Sequence, residues 1–257
     1  MMTSGEIRIA SVAAGVAKVQ KSMEAKLVLG FIGGAMISLG YLAYARIAAA
    51  LAESQISAIG SFLGACVFPV GLIVILLAGG ELVTGNMMTV SSALLDKKIS
   101  FLDWAKNLLT ITLANAVGAL FVSYFFGHVV GLTTGALYAH EIEVLVQGKI
   151  SATPIQCFLS GIGCNWFVGL ALWLCYGAKE GIAKMLGIWF PVMVFVLIGF
   201  QHSVANIFLL TAAIFEDHAT WGQFFQNFIP VYLGNLVGGM VFVALLYQIA
   251  YGGRNNH

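Results

Sequence analysis

The sequence predicts an all-α membrane protein: six transmembrane helices in two matching halves of three, with the second and fifth helices broken. Three observations predict this class. Of 257 residues, 60% are hydrophobic and only 9% charged. Soluble domains carry about 25% charged residues, so a water-facing surface could not be covered here. Long uncharged runs recur along the chain. And one helix-breaking pattern occurs twice, 120 residues apart: Gly79-Gly80-Glu81-Leu82-Val83-Thr84-Gly85-Asn86 and Gly199-Phe200-Gln201-His202-Ser203-Val204-Ala205-Asn206. Each copy opens on Gly and closes on Asn, with Glu81 at the place of Gln201. The offset persists downstream, where Leu113-Ala114-Asn115-Ala116-Val117-Gly118 answers Leu233-Gly234-Asn235-Leu236-Val237-Gly238.

Residues 5–24 read as a short amphipathic helix. Ile7, Val12, Val16, Val19 and Met23 share one face, with Arg8, Lys18, Gln20 and Lys21 elsewhere. Such a helix either lies on the membrane surface or forms a gate beneath a pore. No signal peptide is visible at the start. Six spans follow, at 27–48, 58–97 (broken), 104–130, 155–178, 187–216 (broken) and 225–250. Each meets the roughly 20 apolar residues that a hydrocarbon core about 30 Å thick demands. The fifth run shows why a break is required. As one straight helix at about 1.5 Å per residue it would overshoot the bilayer, and its middle is polar and contains Gly199. Irregular backbone at membrane depth is tolerated only against protein or a water-lined cavity. Paired breaks in two halves therefore point to a permeation path.

Ten of the twelve basic residues (Arg8, Lys18, Lys21, Lys26, Lys97, Lys98, Lys106, Lys179, Lys184 and Arg254) fall on one side of these spans, leaving Arg46 and Lys149 on the other. The positive-inside rule then places both termini in the cytoplasm. Three spans per half is an odd number, so the second half enters from the opposite side and the repeat is inverted, over about 27–130 and 150–250. The connections are short, and the whole of 1–257 reads as a single transmembrane domain. The formal net charge of +1 gives no case for nucleic acid; the lipid bilayer is the expected partner. The four cysteines lie in apolar stretches at spacings that fit neither a metal site nor a disulfide framework, and read as packing residues. No metal or cofactor is expected. Glycines at helical spacing, such as Gly30, Gly33, Gly34 and Gly40, let membrane helices approach closely and form no phosphate loop.

Few residues could carry chemistry. His202 is the one histidine well inside an apolar span, and it sits in the break. A core histidine satisfied by hydrogen bonds is the plain reading, but an ionisable group at that depth marks a functional site by default. Glu81 is the one acid at membrane depth. It serves either as a relay or as a pin, its carboxylate accepting the loop's free N–H groups. Gln201 at the matching place favours pinning, because an amide can accept but cannot titrate. Asn86 and Asn206 belong to the same loop-pinning set. Thr84 either donates to a passing anion or to His202, or caps the following half-helix in competition with Asn86. Lys149 is either a solvated loop lysine or an electrostatic funnel for anions, and its departure from the charge bias of its own side favours the funnel.

The motifs Glu81-Leu82-Val83-Thr84-Gly85-Asn86, Cys164-Asn165-Trp166 and Phe200-Gln201-His202-Ser203-Val204-Ala205-Asn206 resemble those of the formate/nitrite transporter family, which includes hydrosulfide channels. The resemblance covers about residues 5–250. It implies an aquaporin-like six-helix protomer in a homopentamer, each protomer with its own pore, in the cell membrane. It implies small monovalent anions as substrates: formate, nitrite or hydrosulfide. By resemblance, Thr84 and His202 are the loop threonine and central histidine, Asn235 partners that histidine, and Lys149 stands near the outer vestibule. Asn165 and Val168 line the pore, while Phe68, Leu72, Leu82 and Phe195 form two hydrophobic constrictions around the histidine. Val83 departs from the aromatic residue often found before the threonine.

A mechanism follows as an expectation. Lys149 concentrates the anion, half-helix N-termini stabilise it, and His202 donates or shares a proton so that the neutral acid crosses the apolar ring. A passive channel would use His202 only as a hydrogen-bond donor. Two other classes compete. A water or neutral-solute channel would share the hourglass shape, but the Asn-Pro-Ala pair of aquaporins is replaced by Asn86-Met87 and Asn206-Ile207. An intramembrane enzyme would need a second catalytic group beside His202, with only Glu81 and Thr84 on offer.

Overall fold

Repeated capping boxes set where the helices begin. In a computed structural model, which describes residues 1–52 and 56–252, the elements are α1 (Ser4–Gln20), α2 (Met23–Leu51), α3 (Ser57–Val67), α4 (Val70–Leu77), α5 (Val83–Leu95) and α6 (Phe101–Phe121), the last continuing as a π-helical stretch, Val122–Val129. Then come α7 (Ala136–Ile150), α8 (Pro154–Gly177), α9 (Gly181–Ile198), α10 (Ser203–Phe215), α11 (Trp221–Gly239) with a π-helical stretch at Met240–Leu245, and α12 (Leu246–Tyr251). Six apolar segments among these are long enough to cross a bilayer: Met23–Leu51, Ser57–Leu77, Phe101–Val129, Pro154–Gly177, Gly181–Ile198 and Trp221–Tyr251. Arg254, counted above among the basic residues, lies outside the described residues.

Reciprocal caps open the second-half helices α8 and α11 through Thr153/Gln156 and Thr220/Gln223, and Ser100/Asp103 opens α6. The Ser100 and Thr220 caps stand 120 residues apart. Each box satisfies two otherwise orphaned N–H groups. The two π-helical stretches continue the C-terminal ends of α6 and α11. π-Bulges mark departures from regular packing and often sit near functional sites. Packing repeats as well: α2 lies on α6, and α8 lies on α11.

The first helix ends earlier than the amphipathic pattern suggests. Ser22 caps a new helix by accepting from the Ala25 N–H at 3.2 Å, so Met23 starts α2 and is exposed. Helix α1 is also no free surface helix. Ile7, Ser11, Val12 and Gly15 are buried, Ser11 Oγ lies 3.3 Å from Ser92 Oγ, and Arg8 donates to Asp96 and Gln248 at 2.8 and 2.9 Å. The helix is packed along α5. A second interruption, at Phe68-Pro69 between α3 and α4, was not expected; proline supplies no N–H to continue the ladder.

Residues 79–82 and 200–202 have no regular structure, separating α4 from α5 and α9 from α10. A left-handed glycine opens each break: Gly79 at φ 109° begins the first stretch, and Gly199 at φ 85°, the C-cap of α9, directly precedes the second. A side chain there is strained by roughly 1–2 kcal/mol. Gly199→Ala is therefore expected to lower the melting temperature of the purified protein by a few degrees; a variant melting with the wild type would remove the argument for that glycine.

Candidate functional site: a buried polar crossing between two loops

The two loops are held by one hydrogen-bond pattern, made twice. Asn115 Oδ1 accepts from the Val83 N–H, and Asn235 Oδ1 accepts from the Ser203 N–H, both at 2.8 Å. Asn115 Nδ2 donates to the carbonyls of Gly30 and Glu81 at 2.7 and 2.8 Å. Asn235 Nδ2 donates to those of Gly161 and Gln201 at 2.9 and 3.0 Å. Both asparagines are fully buried. Each thus satisfies one N–H and one carbonyl that its loop leaves orphaned, at residues 83 and 81 or 203 and 201, and ties the loop to the side of an unbroken helix through Gly30 of α2 or Gly161 of α8. Closeness is permitted by glycine: a Cβ on Gly33 would collide with the Glu81 carbonyl oxygen.

A second ring of bonds repeats in the same way. Asn86 Nδ2 donates to Glu81 Oε2 and Asn107 Oδ1, each at 2.9 Å. Asn206 Nδ2 donates to Gln201 Oε1 at 2.9 Å and to Asn227 Oδ1 at 2.8 Å. Asn107 and Asn227 in turn donate to the carbonyls of Lys18 and Lys149, at 3.4 and 3.1 Å. The pinning expected of Glu81 is made differently from the expectation. Its carboxylate takes Asn86 and the ammonium of Lys18 at 2.8 Å, with Lys21 at 3.5 Å, while the loop's N–H groups go elsewhere: that of Glu81 to the Leu29 carbonyl and that of Val83 to Asn115. Lys18 therefore turns inward from α1. Burial pulls its ammonium below the ordinary lysine value, against the pull of Glu81.

Thr84 and His202 meet at the centre. Thr84 lies in the first turn of α5, and its Oγ1 is 2.9 Å from His202 Nε2. It does not cap that helix; Leu82 is the N-cap residue and makes no side-chain cap. His202 is itself the N-cap of α10, its Nδ1 accepting from the Ala205 N–H at 3.2 Å. With Nδ1 an acceptor, the neutral ring carries its proton on Nε2 and donates it to Thr84 Oγ1; this tautomer is assigned from the hydrogen-bond network. The threonine hydroxyl hydrogen is then unspent.

Phe195 lies nearly parallel to the His202 ring with centroids 6.1 Å apart, and Phe68 meets Phe195 edge-on at 6.0 Å. These rings, with Tyr41, Asn206 and Lys149, line a cavity of about 90 Å³ that reaches His202. That is room for a few water-sized groups. Lys149 is half-buried at the end of α7, and desolvation pushes its ammonium down to about 8. Leu72 and Leu82 are buried in the core but do not line this cavity. Val168 is also buried in the core. Asn165 Nδ2 donates to the carbonyls of Asn235 and Thr84, at 2.6 and 3.1 Å, tying α8 to the crossing, while its Oδ1 has no partner among the described residues. Asn235 brackets His202 through the backbone of residues 201 and 203, and its amide makes no bond to the ring among the described residues. The partnership expected between that asparagine and the histidine is thus a partnership with the loop.

Asn107, Asn227 and the inward role of Lys18 are further parts of the site that motif and depth alone do not mark. Their signal lies in pairing: Asn107 and Asn227 stand 120 residues apart, and Lys18 and Lys149 stand 131 apart, as do Gly30 and Gly161.

Six membrane-length helices and two unwound loops meeting at a buried polar pair define a membrane channel or transporter. A model of the formate/nitrite transporter family matches residues 5–249. The chain is 51% identical over 246 residues, covering 96% of it and 92% of the relative, to a protein described as an uncharacterized transporter, YrhG, of Bacillus subtilis. It is 48% identical to the formate channel BtFdhC of Bacillus thuringiensis, over 93% of this chain and 91% of the relative. Among solved structures it resembles an FNT family ion channel, with TM-score 0.87 and 26% identity over 95% of this chain and 98% of the other. It also resembles a pentameric formate channel with formate bound, with TM-score 0.77 and 25% identity over 91% and 99%. The chain belongs to the formate/nitrite transporter family.

Proposed function

We propose that this protein is a channel for small monovalent weak-acid anions, formate first among them, with nitrite and hydrosulfide in the same class of size and charge. The observation that carries this reading is the Thr84–His202 pair, buried between the two loops at the end of a cavity that holds Lys149. An anion needs donors at that depth, because an uncompensated charge at the bilayer centre costs roughly 2.5–3.5 kcal/mol or more. Thr84 has one hydroxyl hydrogen to offer. Lys149 supplies the approach charge, and Phe68 and Phe195 supply the apolar squeeze, with Leu72 and Leu82 as the second ring and Asn165 and Val168 on the path. The 2.9 Å pair also leaves His202 an acceptor at Nδ1 and a donor at Nε2, which favours a neutral donor over a ring that protonates the traveller. Protonating His202 would break its cap on α10.

The same reading extends to the assembly. The second half runs inverted to the first, both termini face the cytoplasm, and five copies form a homopentamer in which each protomer holds its own path, as the pentameric neighbour suggests. The protein moves anions across the cell membrane without covalent chemistry.

The test is formate flux into liposomes containing purified protein, followed against pH for wild type, His202→Gln and His202→Ala. The glutamine can still donate to Thr84 and is expected to keep the pH profile with at most about a tenfold loss. The alanine removes the N–H that orients the Thr84 hydroxyl toward the anion, and is expected to lose about a hundredfold, the scale of losing one aligned donor. A pH profile that flattens in His202→Gln would instead assign proton transfer to the imidazole. Absence of formate flux in the wild type would reject the function.

A further inference from the structure

The two loops of the crossing are cradled alike but differ by one charge. On one side Asn107 holds the Lys18 carbonyl and Asn86 holds Glu81, and Lys18 Nζ sits 2.8 Å from the Glu81 carboxylate. On the other, Asn227 holds the Lys149 carbonyl and donates to Gln201 at 2.8 Å, and Asn206 donates to Gln201 at 2.9 Å. The cradle is the same, and an amide replaces the carboxylate. Gln201 spends its own N–H₂ on the Cys157 sulfur at 3.7 Å. Lys149 makes no ion pair and no ammonium hydrogen bond among the described residues. The titratable groups around it are the Cys157 and Cys164 thiols of α8, with Tyr41, Tyr44 and His202 across the cavity; the acid nearest that cavity is Glu141 of α7, which acts on Tyr41 and Tyr44 and makes no ion pair with Lys149 among the described residues.

We infer that Gln201 sets the charge of the Lys149 mouth: its neutral amide, standing where the other half has a carboxylate, leaves Lys149 free to hold a monovalent anion in the cavity before it reaches His202. This rests on the anion-channel reading above. Beside the other loop Glu81 is shared by Lys18 and by Lys21 at 3.5 Å, so both ammoniums there are tethered. Lys149 keeps three N–H donors for the traveller. The two entrances therefore differ in how tightly they capture an anion, and the Lys149 side captures at lower concentration.

The substitution Gln201→Glu tests this. It preserves shape and the acceptor oxygen for Asn206 and Asn227 but supplies the missing counter-charge. In right-side-out membrane vesicles the half-saturating formate concentration is expected to rise about tenfold, the lower end of what a focusing charge contributes, with maximal flux kept. In a Lys149→Met background the same substitution is expected to cost less than about twofold. A second readout needs no substrate: the pH at which Lys149 is half-acetylated by acetic anhydride, followed by mass spectrometry, is expected to rise by about one unit in Gln201→Glu. The reciprocal Glu81→Gln, which gives its loop the amide the other loop already accommodates, is expected to lower the half-acetylation pH of Lys18. An unchanged half-saturation, an equal loss without Lys149, or unmoved labelling in both variants overturns the inference. Shifted labelling in a protein that carries no formate would leave the charge pairing standing and reject the anion-channel reading instead.

Discussion

Replacing Asn235 by leucine is expected to unseat the loop that carries His202. The side chain is fully buried and spends all its capacity on backbone: Ser203 N–H, and the Gly161 and Gln201 carbonyls. Leucine has the same branched skeleton and no polar atoms, so two buried groups, the Ser203 N–H and the Gln201 carbonyl, would be left without a partner, while the Gly161 carbonyl keeps its bond within α8. Each unsatisfied group costs about 1–3 kcal/mol, and even the low end for both gives about 2 kcal/mol. For a chain of this size that is a fall of roughly 4–8 °C in melting temperature. Asn115→Leu should behave alike, since Asn115 makes the matching bonds to Val83, Gly30 and Glu81. Thermal melting of the detergent-purified protein, read by tryptophan fluorescence, measures both. Because the two loops touch at Thr84 and His202 and share Asn165, the double variant should depart from the sum of the single losses by about 0.5 kcal/mol or more. If either single variant melts within a degree or two of wild type, water or a shifted neighbour is replacing the amide, and the asparagine is not what holds the break.

Much of this architecture was legible because the repeat is written in residues with few alternative uses. A glycine that opens a loop and an asparagine seven places later recur at one offset, and the structure places both glycines in the left-handed region. The meeting of Thr84 and His202 was legible only as one option, since the distance between two loops is fixed by the packing of α2 on α6 and α8 on α11, which no local pattern states. The misreading of Glu81 has a clear cause. A lone acid in an apolar run looks like a partner for its own loop, but Lys18 arrives from a helix 63 residues earlier in the chain. Amphipathic periodicity assigned that lysine to a polar face because periodicity assumes the face opposite the core is wet. Helix α1 instead packs along α5, so its lysine end abuts protein. Helix starts were misplaced by a few residues for a simpler reason: apolar runs mark the hydrocarbon core, whereas Ser22 and the capping boxes begin each helix in the polar flank before it.

Lys18→Met should be markedly destabilising, and Glu81→Gln should rescue it. Glu81 is only 2% exposed and Lys18 only 13%. Removing the ammonium leaves a buried carboxylate with Asn86 and the more distant Lys21 at 3.5 Å. Breaking a buried pair from one side typically costs about 3–5 kcal/mol, because the remaining charge is uncompensated. Lys21 is half-exposed, so its help is screened, and a loss near the lower figure is expected. The double variant Lys18→Met/Glu81→Gln removes both charges together. The chain already contains the structural precedent for its product, since Gln201 accepts from Asn206 in the loop that has no acid. The double variant is therefore expected to melt well above Lys18→Met alone and within about 1 kcal/mol of wild type, the range of an isosteric neutral replacement. Melting curves of the four proteins form a complete double-mutant cycle, with coupling of about 2 kcal/mol or more expected. Coupling near zero would mean that Lys18 and Glu81 are separately solvated, and that α1 is held to the bundle by the Arg8–Asp96 contact and apolar packing alone.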